Sequence, residues 1–161
     1  MKKRVYIETT IVSYLTARSS RDLILAAQQE MTREWWAERR HAFDLRVSQL
    51  VFEEAGKGDP GAAVRRLEAL GELPILAVTT ESLTLAGLLV RPGLLPNEGE
   101  ADALHLALAT VHAMDVLLTW NCNHLANAVL LGGIGRMVRS MGYEMPIVCT
   151  PAELMGKEER T

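Results

Sequence analysis

An α/β fold, with a parallel sheet covered by helices on both faces, is what this sequence predicts. Short apolar runs of β type alternate along the chain with stretches of helical periodicity, the pattern of strands joined by helical crossovers. The 161 residues are 48% hydrophobic and 23% charged, enough apolar material for one core and about the length of one domain. No internal repeat, low-complexity segment or long linker divides the chain, so residues 1–161 read as a single domain.

Val5-Tyr6-Ile7 is a first strand that stops at Glu8, with Thr9 and Thr10 as expected caps for the helix that follows. Asp22 to Arg40 is helical, with Leu23, Ala26, Ala27, Met31 and Trp35 at three- and four-residue spacing. Phe43 to Ser48 is a second strand, and Ser48 caps a helix from Gln49 to Ala55. Gly56 to Pro60 is a break, and Pro60 suits the first turn of a helix reaching about Leu70. Pro74 to Val78 is a third apolar run, followed by a helix from Glu81 to about Val90. A loop from Arg91 to Asn97 precedes a helix over Glu98–Met114, with Asn97 as its expected N-cap. Asp115 to Thr119 is a buried strand that ends at Trp120-Asn121-Cys122-Asn123-His124. Ala126 to Met141 is a last helix and Pro146 to Cys149 a last strand.

Charge and composition narrow the class. The formal net charge is −3 and the pI about 5.8, which disfavours general nucleic-acid binding driven by net charge. The distribution is uneven: residues 1–46 carry nine Lys or Arg against six Asp or Glu, and residues 47–161 carry eight against fourteen. Arg18, Arg21, Arg33, Arg39 and Arg40 fall in the net-positive part, where a phosphate-backbone groove is one reading and ordinary solvated surface the other. Cys122 and Cys149 lack ligand spacing and read as reduced thiols of a cytoplasmic protein. The longest uncharged run, Val116–Gly135, is interrupted by Asn121, Asn123, His124 and Asn127, so no membrane span of ~20 apolar residues is expected. Met1-Lys-Lys-Arg lacks the apolar stretch and cleavage site of a signal peptide.

In open parallel sheets the ligand site lies off the carboxyl ends of the strands. Glu8 ends the first strand, and Asn121 and Asn123 follow the Asp115–Thr119 strand. Asp102 lies one turn into the helix before that strand, and Glu54 lies in the helix after the second. Oxygen donors from four segments thus converge on one sheet edge, the ligand type Mg²⁺ and Mn²⁺ prefer.

These residues carry a resemblance. The order Val-Tyr-Ile-Glu8-Thr-Thr, Val-Ser-Gln-Leu-Val-Phe-Glu-Glu54-Ala-x-x-Gly, Glu-Ala-Asp102-Ala-Leu-His-Leu-Ala-Leu-Ala and Leu-Leu-Thr119-Trp-Asn121-Cys-Asn-His resembles PIN domains, and among them VapC-type toxins of toxin–antitoxin pairs. The likeness spans about residues 4–150. It implies a three-layer α/β/α sandwich with a mainly parallel sheet, and a ribonuclease that uses Mg²⁺ or Mn²⁺ at an acidic quartet. Carried over, the catalytic and metal positions are Glu8, Glu54, Asp102 and Asn121. Glu54 fits the Glu-Ala-x-x-Gly frame better than its rival Glu53. Glu8 and Asn121 depart from the Asp usual at those two places, one by an added methylene and the other by a lost charge. Thr9 and Thr119 are expected to support the ligands by hydrogen bonds.

His105, three residues after Asp102 on its helix, is expected as a hydrogen-bonded structural residue, with a metal-binding stripe of Glu98, Asp102 and His105 as the alternative. His124 is a candidate phosphate contact or a surface residue. Trp35 and Trp36 are core or interface residues. The resemblance further implies an RNA substrate, a cognate antitoxin protein and a homodimer. The competing reading is a PIN-like module that binds RNA or a protein partner without cutting.

Overall fold

A computed structural model describes residues 1–156; the last five residues of the expected domain, 157–161, lie outside the described residues. Five strands form one sheet: β1 (Arg4–Ile7), β2 (Asp44–Ser48), β3 (Ile75–Leu76), β4 (Val116–Leu118) and β5 (Ile147–Cys149). Their order is β3-β2-β1-β4-β5 and all the pairings are parallel. Val5 pairs with Leu45 on one side and with Val116 on the other, and Leu118 pairs with Ile7 and Cys149. Val5, Tyr6, Ile7, Val116, Leu117 and Leu118 are all buried. Burial on both faces explains why β1 and β4 are continuous apolar runs rather than alternating ones.

The helices are α1 (Thr9–Thr16), α2 (Leu23–Glu38), α3 (Gln49–Ala55), α4 (Pro60–Leu70), α5 (Thr80–Leu89), α6 (Glu100–Val111) and α7 (Ala128–Ser140). Caps written in the sequence fix most of their starts: Asp22 accepts from Leu25 N–H, Ser48 from Val51 N–H, Asp59 from Ala62 N–H and Asn127 from Val129 N–H. Two expected caps are corrected. Glu8 itself, not Thr9 or Thr10, caps α1 through its carboxylate. Asn97 caps nothing; it opens a 3₁₀ turn, and α6 starts at Glu100 after Gly99. The third strand shrinks to two residues at the sheet edge, with Ile75 exposed, and a short edge strand offers little template for foreign pairing.

On one flank Trp35 is fully buried and stacks on Phe43, ring centroids 5.8 Å apart, while Arg40 lies over the Trp36 ring at 4.9 Å. These contacts tie α2 to the approach to β2 and make Trp35 a core residue. Among the described residues, no helix is long and apolar enough to cross a membrane. Cys122 and Cys149 are both free, and burial pushes the Cys149 thiol up to about 11.

The sheet order locates the site. From β1 the chain adds β2 and then β3 on one side, and later returns to place β4 against the other side of β1. The order therefore reverses between β1 and β4, and the crevice beyond their carboxyl ends is where ligands bind in such sheets. Glu8 follows β1 and Thr119 follows β4 at that point, with Glu8 N–H bonded to Leu118 O at 3.1 Å.

Candidate active site

Glu8 is 4% exposed at the switch point. Its Oε2 accepts three hydrogen bonds, from Thr10 N–H (3.0 Å), Thr10 Oγ1 (2.5 Å) and Thr119 Oγ1 (2.8 Å). Burial pushes its carboxyl above the usual range; the His105 charge and those hydrogen bonds pull the other way without cancelling the effect. Glu8 thus has a local role, ending β1 and starting α1, beside its place in the site.

Glu54, on α3, accepts from Thr9 Oγ1 at 2.6 Å and from His105 Nε2 at 2.5 Å. A carboxylate accepts only, so His105 carries a proton on Nε2; its Nδ1 is hydrogen-bonded to the Tyr6 hydroxyl at 2.7 Å, and that hydroxyl to Ser48 Oγ at 2.8 Å. Ser48 is also the cap of α3, so the relay returns to the helix that carries Glu54. Burial alone raises the Glu54 carboxyl, but the His105 and Thr9 hydrogen bonds and the His105 charge outweigh it and hold it below its ordinary value. Glu53 is exposed and takes no part in this arrangement.

Asp102, one turn before His105 on α6, accepts from His124 Nδ1 at 2.7 Å, the two side chains being 19% and 28% exposed. The His124 backbone N–H is held by Asn121 Oδ1 at 3.1 Å, and Asn121 N–H donates to Thr119 Oγ1 at 2.9 Å. Asn121 O also accepts from Leu125 and Ala126 N–H, so Asn121 shapes the turn that delivers His124. Gly99 lies beside this turn; a Cβ there would crowd Pro96 Cδ at 3.3 Å and stand in ordinary contact with His124 Nδ1 at 3.7 Å.

All four expected positions therefore fall on one ring of contacts. It runs from Glu8 through Thr119, Asn121 and His124 to Asp102, along α6 to His105, then through Glu54 and Thr9 back to Glu8. Thr9 and Thr119 support the acids as expected. His105 is a buried, doubly bonded residue, and the Glu98, Asp102, His105 stripe does not form, because Glu98 sits in the 3₁₀ turn facing a separate groove. Tyr6, Ser48 and Thr10 were not expected in the site; the sequence offered Ser48 and Thr10 as helix caps and Tyr6 as part of a strand, and nothing local marks the partner of a tyrosine. His124 faces Asp102 rather than open surface. Of the arginines, Arg33 is tied to Glu30 and to Ala17 O, and Arg40 to Trp36.

The donor set is oxygen-rich, as a hard divalent cation requires. Its geometry is another matter. Glu8 Oε2, Glu54 Oε1, Asp102 Oδ2 and Asn121 Oδ1 are each committed to donors within the protein, and among the described residues no group of three or more His, Cys, Asp or Glu side chains could hold a metal ion. The ring as arranged is no preformed cation site among the described residues, although its oxygen donors suit a hard cation. What it offers is two carboxylates with pKa values pushed in opposite directions, each beside hydroxyl donors, next to a third acid paired with a part-exposed imidazole.

The raised pKa of Glu8 has a stability consequence. Ionising a group whose folded pKa lies above its unfolded value costs stability at neutral pH, and the cost vanishes once both states are protonated, below about pH 4. Glu8→Gln keeps an acceptor oxygen for the three donors and removes the charge. Its melting temperature is expected to exceed that of the parent near pH 7 by on the order of a few degrees, with the gap closing as pH falls. Thermal melts across that range check it; a gap independent of pH contradicts the account.

An open parallel sheet in an α/β/α arrangement, with acidic and amide side chains at the β1/β4 switch point, is a PIN-like fold. Solved structures share it, among them these two. VapC20 of Mycobacterium tuberculosis, described as a Sarcin-Ricin loop cleaving toxin, matches with a TM-score of 0.56 at 17% identity, over 74% of this chain and 91% of its own. VapBC2 of Rickettsia felis, solved bound to a DNA fragment from its promoter, matches with a TM-score of 0.54 at 15% identity, over 91% of this chain and 98% of its own. No protein-family model and no curated protein matches the sequence. The chain has the fold of VapC-type toxins, as the sequence resemblance implied.

Proposed function

We propose that this protein is an endoribonuclease of the VapC kind, the toxin of a toxin–antitoxin pair, cutting RNA phosphodiesters at the ring of Glu8, Glu54, Asp102 and Asn121. The observation that carries the reading is the ring itself: four side chains from four segments, joined by hydrogen bonds at the one point of the sheet where the fold directs a ligand. Four carboxylate or amide groups cost folding energy at a strand edge, and such concentrations mark sites of chemistry rather than packing. The fold shared with an RNA-cleaving toxin supports the substrate class. The likeness to a VapBC assembly supports a cognate antitoxin as partner. The homodimer and the cytoplasmic location belong to the same reading, the first on the resemblance alone and the second also on the free Cys122 and Cys149.

Mg²⁺ or Mn²⁺ is the cofactor this reading calls for, on donor chemistry alone. When bound, such an ion polarises a phosphoryl oxygen and activates water. The protein's part is described by its own contacts: His105 and Thr9 hold Glu54 ionised and fixed, Thr10 and Thr119 fix Glu8, and Asp102 holds His124 with Nδ1 protonated.

A second reading, a module that binds RNA or protein without cutting, is favoured by one observation: every site carboxylate already has its partner, and no cluster open to a metal exists among the described residues. The test is cleavage of a mixed RNA pool by purified protein with Mn²⁺, with Mg²⁺ and with EDTA, run beside thermal shift in the same metals. Cutting that EDTA abolishes, with a metal-induced rise in melting temperature, is the expected result. RNA that is bound but left intact in every metal, with no metal-induced shift, establishes the second reading.

A further inference from the structure

We propose that the groove beside His124 is a nucleobase subsite, seating one base next to the phosphate that the ring attacks; it rests on the ribonuclease reading and names what that site recognises. The groove encloses about 510 Å³, within the ~300–1,000 Å³ of small-ligand sites. His124 belongs to both places: its Nδ1 is bonded to Asp102, and the same residue forms part of the groove wall. A ligand in the groove therefore lies one side chain from the acidic ring.

The walls suit a flat base. Pro92, Leu94 and Leu130 supply apolar surface on which a base ring can lie. They are held in place before any ligand arrives. Arg91 N–H bonds Leu95 O, Leu94 N–H bonds Arg91 O and Leu95 N–H bonds Leu89 O, closing the loop between α5 and α6 on itself. Gly133 of α7 lets Leu94 sit directly against that helix, since a Cβ there would stand 3.0 Å from Leu94 Cδ2. Loop and helix thus form one preformed wall, which lowers the ordering cost of binding.

Polar groups set the choice of base. Asn97 and Glu98, both exposed, line the groove beside His124. A carboxylate accepts through two oxygens and never donates, so Glu98 selects the base edge that presents two adjacent N–H donors, which guanine does with N1–H and N2–H2. Arg91, also lining the groove and exposed, is placed to meet a neighbouring phosphate. RNA satisfies all of this with one unit: a flat base for the apolar walls, a donor edge for Glu98 and an anion for Arg91.

The experiment compares single-turnover cleavage of four RNAs that differ at one base beside a mapped cut. The protein as it stands is expected to favour G at that position. Glu98→Gln, which turns one of the two acceptor oxygens into a donor, should lower that preference by about tenfold, within the 1–3 kcal/mol that a good base contact is worth. Glu100→Gln, an exposed change outside the groove, should leave the preference intact. Cleavage by Glu98→Gln with the parental preference overturns the subsite and spares the ribonuclease reading. No cleavage by the parent protein in any metal overturns the ribonuclease reading and the subsite with it.

Discussion

Asp102→Asn protein should cleave RNA at least ~10²-fold more slowly than the parent while folding normally. The substitution is chosen for what it retains. Asn offers a carbonyl oxygen where Asp102 Oδ2 now accepts from His124 Nδ1 at 2.7 Å, so the imidazole, and with it the turn fixed by Asn121, keeps its anchor. The negative charge alone is lost. A site that neutralises or relays charge during phosphodiester cleavage depends on that charge, and removal of one positioned group of this kind costs enzymes roughly 10²–10⁴-fold. A surface acid would cost nothing. Rates measured on one RNA, with both proteins purified identically and their melting temperatures compared, separate the cases. Parental cleavage by Asp102→Asn protein identifies the cutting as contamination and removes Asp102 from the site.

Much of this site could be read from the sequence because strand ends and chemistry coincide. Glu8 was legible as a carboxylate stopping an apolar run, Asn121 as an amide just past another, and Asp102 as an acid on a helix otherwise rich in Ala and Leu. The parallel sheet was legible for the same physical reason that makes it stable: β1 and β4 are buried on both faces and carry no polar alternation. What was not legible depends on contacts far apart in the chain. Tyr6 and His105 are 99 residues apart and meet at 2.7 Å; no local pattern marks either as the other's partner. Glu8 as the cap of α1 was missed because Thr, Asp, Ser and Asn are the favoured caps and two threonines stood next in line. Asn97 misled for the mirror reason: a good cap residue stands there, but the chain takes a 3₁₀ turn through Gly99 first. The turn the chain takes there overrides the local preference.

The fold also divides labour among the histidines. His124 is part-exposed, on a turn, and faces a groove; His105 is sealed beneath the sheet edge at 1% exposure. The first is placed to meet a ligand and the second to hold Glu54 still. Function and stability therefore make opposite demands on two residues of the same type, and their substitutions should separate accordingly.

His105→Ala is expected to be the most destabilising single change in the site, by about 3–5 kcal/mol. Three losses add up. The imidazole leaves a cavity in a buried position, a loss of a few kcal/mol for a large-to-small core change. The Tyr6 hydroxyl loses the ring nitrogen it now meets at 2.7 Å, and Glu54 loses its 2.5 Å donor. A buried polar group left unpaired costs about 1–3 kcal/mol, more when it is charged. At ~2–4 °C per kcal/mol for a chain of this size, the melting temperature should fall by roughly 6–20 °C near pH 7. Tyr6→Phe removes one hydroxyl from the same relay and leaves His105 bonded to Glu54, so its cost should be nearer 1 kcal/mol. The pair is informative together. In the double variant no Tyr6 hydroxyl remains to be orphaned, and its destabilisation should fall short of the sum of the two by at least ~0.5 kcal/mol. Strict additivity in chemical denaturation would mean that Tyr6 and His105 act independently, and that the relay from Ser48 to Glu54 does not hold the carboxylate as a unit. The sign of the pH response supplies a further check. Glu54 now has its carboxyl held below the ordinary value, chiefly through His105 acting against burial. Its contribution to stability is therefore present above the unfolded carboxylate pKa and lost as pH falls through the folded one. In His105→Ala protein burial is left with weaker opposition, so the gap in stability from the parent should narrow as the solution is acidified toward about pH 4.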